Sequence, residues 1–113
     1  MKKILLMLCS IVICGCSNNW KKNFDASEIK IETIESLSDV TTYVSGKIKN
    51  ISNKTCDLLE VTIEFKSGTL ITEETIDIIA IDFNPNEIIE YDEAINHKNY
   101  ENYNPKFKNI ICH

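Results

Sequence analysis

The stretch that decides the fold is LEVTIEFK, residues 59–66. Every odd-numbered residue in it is apolar and every even-numbered residue is polar. Alternation with a period of two is typical of a strand that has one face in a core and the other in solvent. Because the isoleucine, valine and threonine in this stretch disfavour helix, a helical interpretation fits poorly. We therefore predict a half-buried β-strand here.

The rest of the chain indicates further strands of the same kind. In residues 43–49, Val44 and Ile48 fall on one face while Lys47 and Lys49 fall on the other. Further strands are predicted at residues 29–34, 43–49, 69–81, 87–95 and 106–112, separated by turns that include Ser67-Gly68 and Asn84-Pro85-Asn86. A short helical turn is compatible only with residues 99–103. Short strands at this spacing predict an all-β fold, an antiparallel β-sandwich of six to seven strands.

The first 16 residues differ in composition from everything that follows. Lys2 and Lys3 precede an uncharged apolar run at residues 4–13, which is too short to span a bilayer. This pattern predicts a secretory signal peptide. The segment ICGC that ends at Cys16 resembles the lipobox of bacterial lipoproteins, which implies cleavage before Cys16 and a diacylglycerol on its thiol. An ordinary secreted protein cut near Ser17 and an uncleaved anchor helix are the alternatives.

These features predict a division of the chain into three parts. Residues 1–15 are the signal peptide, residues 16–26 a lipidated tether with exposed Trp20 and Phe24, and residues 27–113 the sandwich domain. The predicted location is the cell envelope, lipid-anchored to a membrane on its extracytoplasmic side. Ser17, in place of Asp, implies the outer membrane if the host has one.

The charge of the mature chain restricts its partners. Removal of Lys2 and Lys3 with the leader leaves ten lysines, no arginine and 17 acidic residues over residues 16–113, hence a net charge of −7. Nucleic acids and anionic lipid surfaces are bound by clustered cations. The composition therefore argues against nucleic acid and against an anionic-lipid patch, and predicts the membrane as a partner only through lipidated Cys16.

Three segments resemble the FxLYD-type immunoglobulin-like domain. VSGKIKNIS at residues 44–52 is similar to a strand and turn of that family, VTIEF at 61–65 to its next strand, and FNPNEIIEY at 83–91 to a later turn and strand. Asn86 stands where the family has glycine, and residues 66–68 make a shorter turn than usual. The resemblance covers residues 29–111 and implies an immunoglobulin-like module on the cell surface, generally without an active site.

Two cysteines remain once Cys16 is lipidated. Export favours disulfide formation, so Cys56 and Cys112 are candidates for a bridge. If their strands are antiparallel neighbours, both cysteines lie at one end of the sandwich. If a strand intervenes, they lie at opposite ends. The sequence leaves both arrangements open, and two unpaired thiols remain the alternative.

Other polar and aromatic residues give weaker signals. His97 and His113 lack the spacing of a metal site, so we predict solvated histidines, no metal and no cofactor. The adjacent carboxylates Glu73-Glu74 and Asp92-Glu93 are interpreted as outer-face charges, because neighbours on a strand point to opposite faces. Tyr91 and Phe107 fall on strands and are predicted core residues. Tyr100 and Tyr103 fall in a loop and are the candidate interface residues.

The functional prediction is a non-catalytic surface module. The anchor, the sandwich and the lack of a visible nucleophile–base pair favour protein interaction or envelope assembly, with an exposed sheet edge as a natural binding mode. The alternative is binding of a small envelope ligand or cell-wall component, with Trp20 or the Tyr100–Tyr103 loop as the platform. A pocket with converging polar groups would favour the alternative, and a free edge strand would favour the module.

Overall fold

The computed structural model describes residues 19–113. Within them a 3₁₀ helix precedes seven strands, and none of the helical residues forms a segment long and apolar enough to cross a membrane. The predicted signal peptide, Cys16 and Ser17 lie outside the described residues. The elements are the 3₁₀ helix (Asn19–Lys22), β1 (Phe24–Asp25), β2 (Lys30–Glu35), β3 (Val40–Asn50), β4 (Cys56–Ser67), β5 (Leu70–Phe83), β6 (Ile88–Asn96) and β7 (Asn104–Cys112).

The strands form two antiparallel sheets that pack face to face. In the first sheet, β6 pairs with one side of β3, and β2 and β1 pair one after the other along its other side. In the second sheet, β4 lies between β5 and β7. On one lateral side of the sandwich, β5 of the second sheet lies beside β6 of the first. On the other lateral side, the 3₁₀ helix contacts β1 and β7. The predicted all-β antiparallel sandwich is confirmed, with seven strands in the described chain.

The centre of the core is the strand with which the sequence analysis began. Leu59, Val61, Ile63 and Phe65 are each 0% exposed, while the polar residues between them point away from the first sheet. Val44 and Ile48 of β3 face them and are equally buried. The period of two therefore identified both inner faces, because a strand that packs on one side leaves its alternate residues in solvent.

Two turns adopt backbone conformations that their residues tolerate. Gly68, between β4 and β5, has φ 62°, which glycine reaches without steric cost. Asn86, between β5 and β6, has φ 72°, and asparagine is among the few other residues found in this region. Residues 99–103 do not form a helix. They make a single turn, in which the Tyr103 N–H donates to the Tyr100 carbonyl at 3.0 Å.

The residues assigned to an exposed tether belong to the domain, which corrects the predicted boundary at residue 27. Trp20 is 6% exposed and Phe24 is 2% exposed. The Trp20 ring lies 5.8 Å from that of Phe107, and β1 pairs with the end of β3. The two aromatics fill the lateral opening between β1 and β7, so their surroundings are apolar although their sequence neighbours are polar. The folded part therefore includes Asn19 onwards.

Asn50 lies in the segment 44–52, which resembles a strand and turn of FxLYD-type domains, and it has a structural role in this fold. Its side chain is fully buried, and its Nδ2 donates to the carbonyls of Lys54 and Phe83 at 2.8 and 3.0 Å. Its Oδ1 accepts from the N–H of Ser52 at 3.0 Å. Buried polar groups are stable only when they have partners. Asn50 therefore ties the β3–β4 loop to the end of β5.

Candidate functional site

The structure places Cys56 and Cys112 in a disulfide at one end of the sandwich. β4 and β7 are antiparallel neighbours, with Leu59 opposite Cys112. The two Cα atoms lie 5.5 Å apart, which is within the usual range for a bridge. Of the two arrangements left open, the neighbouring one is therefore present. The disulfide closes β7 onto the start of β4.

The two histidines lie on separate surfaces. His97 Nδ1 is 2.8 Å from Asp39 Oδ1, and His113 Nε2 is 3.2 Å from Glu60 Oε1. The Asp39 carboxylate accepts a hydrogen bond from the Val40 N–H and a second one from His97. These two bonds, the first more than the second, hold the pKa of the Asp39 carboxyl below its usual value. Within residues 19–113, no three or more histidine, cysteine, aspartate or glutamate side chains are grouped to hold a metal ion.

Glu73 and Glu74 point to opposite faces of β5, as expected for strand neighbours. Glu73 lies on the outer face and forms an ion pair with Lys108. Glu74 is half-buried and accepts a hydrogen bond from the Tyr100 hydroxyl. The prediction of outer-face charges is therefore wrong for Glu74, because the loop after β6 folds over the end of β5 and supplies a donor.

Tyr100 is a core residue, which corrects its assignment as an interface residue. It is 4% exposed, and its ring stacks on Phe65 with centroids 4.0 Å apart. Its N–H donates to Thr42 Oγ1 at 3.0 Å. Burial, together with the hydrogen bond to Glu74, raises the pKa of Tyr100 well above its usual value. Tyr103 packs edge-on against Tyr100 and is half-buried, so its role in an interface stays a prediction.

An open groove of about 690 Å³ lies where β1 ends and β2 begins. Gly46 is at its base, and a Cβ there would lie 2.8 Å from both the Glu28 carbonyl and the Tyr91 hydroxyl. The Tyr91 hydroxyl is the one buried side-chain polar atom in the described chain without a hydrogen-bond partner. Glycine at position 46 therefore leaves the space into which this hydroxyl extends. Lysines and carboxylates both line the groove, so it has no single sign of charge.

Replacing Tyr91 by phenylalanine is expected to change stability near neutral pH by less than about 1 kcal/mol, because the lost hydroxyl has no partner. Burial raises the Tyr91 pKa from 10.0 to about 12, so the native state resists ionisation that the unfolded chain permits. Stability contributed by the neutral phenol is therefore lost as pH rises from about 10 to about 12. Tyr91→Phe should unfold at higher urea than the wild type at about pH 11; an unchanged pH dependence would contradict this.

The outer side of β5 is the longest free edge in residues 19–113. β5 has 14 residues, and no described strand pairs with its side opposite β4. Ile79 is 77% exposed and Ile81 is 73% exposed, although both belong to this strand. Ile88 of β6 lies beside Ile81 in a shallow depression between the two edges. We call Ile79, Ile81 and Ile88 the edge patch.

A β-bulge lies beside the edge patch. Cys56 lies opposite Phe83 while Leu58 lies opposite Ile79, so residues 80–82 face the single residue Asp57. Asp82 has φ 58°, and its N–H donates to Asp57 Oδ1 at 3.1 Å. Bulges bend a strand and redirect its side chains. Ile81 is exposed by the ordinary alternation that buries Ile78 and Ala80. The bulge leaves Asp82 exposed as well and returns Phe83 to the core, so regular strand geometry is limited to the part of β5 before it.

Comparison with known proteins adds no identification. No family model matches the chain, and no curated protein or solved structure is significantly similar to it. The resemblance to FxLYD-type domains therefore stays a prediction.

Proposed function

We propose that this chain is an envelope lipoprotein, anchored through Cys16, whose non-catalytic immunoglobulin-like module binds an extended segment of another envelope protein. The free edge of β5, with the exposed edge patch beside it, is the observation that carries the proposal. An unpaired edge offers a row of backbone N–H and C=O groups to a strand from a partner. Exposed isoleucines next to such an edge supply apolar contacts with alternate side chains of that strand.

β2, the outer strand of the first sheet on the side opposite β6, is a weaker candidate. It has six residues, and charged Lys30, Glu32 and Glu35 are exposed along it. Short strands and charged side chains are common protection against unwanted pairing. β5 is more than twice as long and exposes large apolar side chains. The acidic residues on its outer face, Glu73 and Asp77, favour a partner segment that carries lysine or arginine.

Photocrosslinking tests the binding edge. A photoreactive amino acid placed at Ile79 in the full chain, expressed in the native host, should crosslink to a discrete envelope protein. The same amino acid at Ile34 of β2, which is 53% exposed, is the matched control and should give no such product. Adding Ile81→Lys to the Ile79 probe should reduce the product because it places a charge in the apolar contact. Identical products from both positions, or none from Ile79, would contradict the proposal.

The anchor is tested separately. Metabolic labelling with a fatty-acid probe should mark the wild-type chain, and Cys16→Ala should lose the label because no thiol remains at the position of the lipobox cysteine. Ser17→Ala is a control that should keep it. Equal labelling of the wild type and Cys16→Ala would show that this cysteine is not the lipid attachment site.

A second candidate function is binding of a small envelope ligand or cell-wall component in the groove at Gly46. The unpartnered Tyr91 hydroxyl favours it, because a ligand oxygen that accepts a hydrogen bond from this hydroxyl would satisfy a buried donor. Calorimetric titration with soluble peptidoglycan fragments should then show binding that Tyr91→Phe weakens by roughly tenfold, the usual worth of one buried hydrogen bond. Equal affinity of both proteins, or no binding by either, would reject this candidate.

A further inference from the structure

We infer that the side of the sandwich formed by the 3₁₀ helix and β7 lies directly on the membrane, where Lys21, Lys22 and Lys106 contact anionic lipid headgroups. The inference rests on the proposed lipid anchor at Cys16. It concerns a different surface from the edge patch and a different partner, the bilayer that holds the chain's own lipid.

Chain length restricts how far the domain can stand from the membrane. Only two residues separate Cys16 from Asn19, the first residue of the 3₁₀ helix. An extended chain covers at most about 3.6 Å per residue, so the helix begins within about 11 Å of the lipidated cysteine. Trp20 is then held in the sandwich by its contact with Phe107, 5.8 Å between ring centroids. The side of the domain that carries Trp20 is therefore kept near the headgroups, and the charges on that side decide whether it lies on them or tilts away.

That side carries a net positive charge, unlike the mature chain as a whole, so the composition that argued against an anionic-lipid patch does not describe it. The 3₁₀ helix contains Lys21 and Lys22 and no acid. A groove between the helix, β1 and β7 is lined by Trp20, Lys21, Asp25 and Lys106, among others. The helix and groove together thus carry three lysines and one acidic residue. The other seven lysines of the mature chain are accompanied by 16 acidic residues.

The segregation of charge gives the domain a preferred orientation. Each lysine close to an anionic surface contributes to binding, whereas the acidic remainder is repelled by it. The Lys21 Nζ lies 5.7 Å from the centroid of the Trp20 ring, so the exposed cation and the buried aromatic lie on the same side of the domain. The edge patch belongs to the opposite lateral side, where β5 meets β6. Docking of the lysine side therefore leaves the free edge of β5 open to a partner.

Trp20 is the only tryptophan in the chain and reports on this orientation. The full lipidated protein is reconstituted into vesicles of phosphatidylglycerol and phosphatidylethanolamine that contain lipid spin-labelled at the headgroup. We expect strong quenching of Trp20 fluorescence, weaker quenching in phosphatidylcholine vesicles, and partial reversal by high salt in the anionic vesicles. Lys21→Gln/Lys22→Gln should weaken the quenching of Trp20 in the anionic vesicles. The ratio of molecules whose lysine side lies on the membrane to molecules tilted away from it should fall by roughly tenfold or more.

The matched control is Lys54→Gln/Lys98→Gln, which makes the same change in net charge at exposed loop positions that belong neither to the 3₁₀ helix nor to β7 or its neighbour β4. This control should be quenched like the wild type. Vesicle flotation distinguishes a failure of the proposed anchor from a failure of the proposed docking surface. Protein that does not float lacks the proposed anchor, which overturns the inference together with its premise. Protein that floats, but whose Trp20 quenching is weak or is unaffected by Lys21→Gln/Lys22→Gln, retains the anchor and overturns the docking surface alone.

Discussion

Replacing Phe65 by alanine is expected to lower the free energy of unfolding by about 3–5 kcal/mol. Phe65 is fully buried on β4, the central strand of its sheet, and its ring stacks on Tyr100. Truncation removes both the burial and the stacking, and it leaves a cavity that the surrounding strands fill only in part. Domains of this size are stable by about 5–15 kcal/mol, so the variant should lose a large share of its stability.

Urea denaturation followed by circular dichroism measures this loss. Lys66→Ala, in the same strand but exposed, is the control and should change the free energy of unfolding by less than about 0.5 kcal/mol. Phe65→Leu should fall between the two, because it keeps part of the apolar volume. A loss below about 1 kcal/mol for Phe65→Ala would mean that β4 does not form the centre of the core.

Removing the disulfide is the second large effect that we expect. The bridge between Cys56 and Cys112 joins residues 56 positions apart. In the chain-entropy model, closing a loop of that size stabilises the folded state by about 4 kcal/mol. Cys56→Ala/Cys112→Ala should therefore unfold at much lower urea than the wild type.

Reductant provides the internal comparison. Dithiothreitol should destabilise the wild type by a similar amount and leave the double-alanine variant unchanged, because that variant has no bridge to reduce. Mass analysis of the mature protein should show the loss of two hydrogens only without reductant. A wild type that is insensitive to dithiothreitol would mean that Cys56 and Cys112 are not paired in solution.

The two proposed surfaces make different demands on the domain. Strand addition at β5 would need an edge that partners can reach, whereas the proposed lipid anchor would need a side that tolerates permanent contact with headgroups. The sandwich has two lateral sides, and the 3₁₀ helix and β7 lie on the side opposite the edge patch. A partner could therefore bind β5 without displacing the domain from the membrane.

Strand assignment succeeded where a residue's environment follows from its immediate neighbours. Residues 59–66 alternate because one face of β4 meets the other sheet, and the turns at Gly68 and Asn86 follow from the backbone freedom of glycine and asparagine. The bulge at residues 80–82 was not predicted. Ala80, Ile81 and Asp82 have no pattern that distinguishes a bulge from a regular strand, and the distortion depends on the contact between Asp82 and Asp57 of another strand.

The predicted sites were less accurate because they depended on contacts between distant segments. Trp20 and Tyr100 were expected in solvent since their neighbours are polar, yet each fills a gap that only the assembled sheets create. Glu74 has an inward hydrogen bond because the loop after β6 brings Tyr100 to it. The edge patch was also unseen, since isoleucines in a β-branched run are expected to be buried.

The sequence by itself determined the all-β class and the facing of the central strands. Each depends on periodicity or composition within about ten residues, over which local sterics and the alternation of strand faces decide the outcome. Only the tertiary structure decided that Cys56 lies beside Cys112, that Trp20 belongs to the core and that Lys106 lies near Lys21. These pairs are far apart along the chain, and their proximity results from the order in which strands pair and sheets pack, which no local pattern specifies.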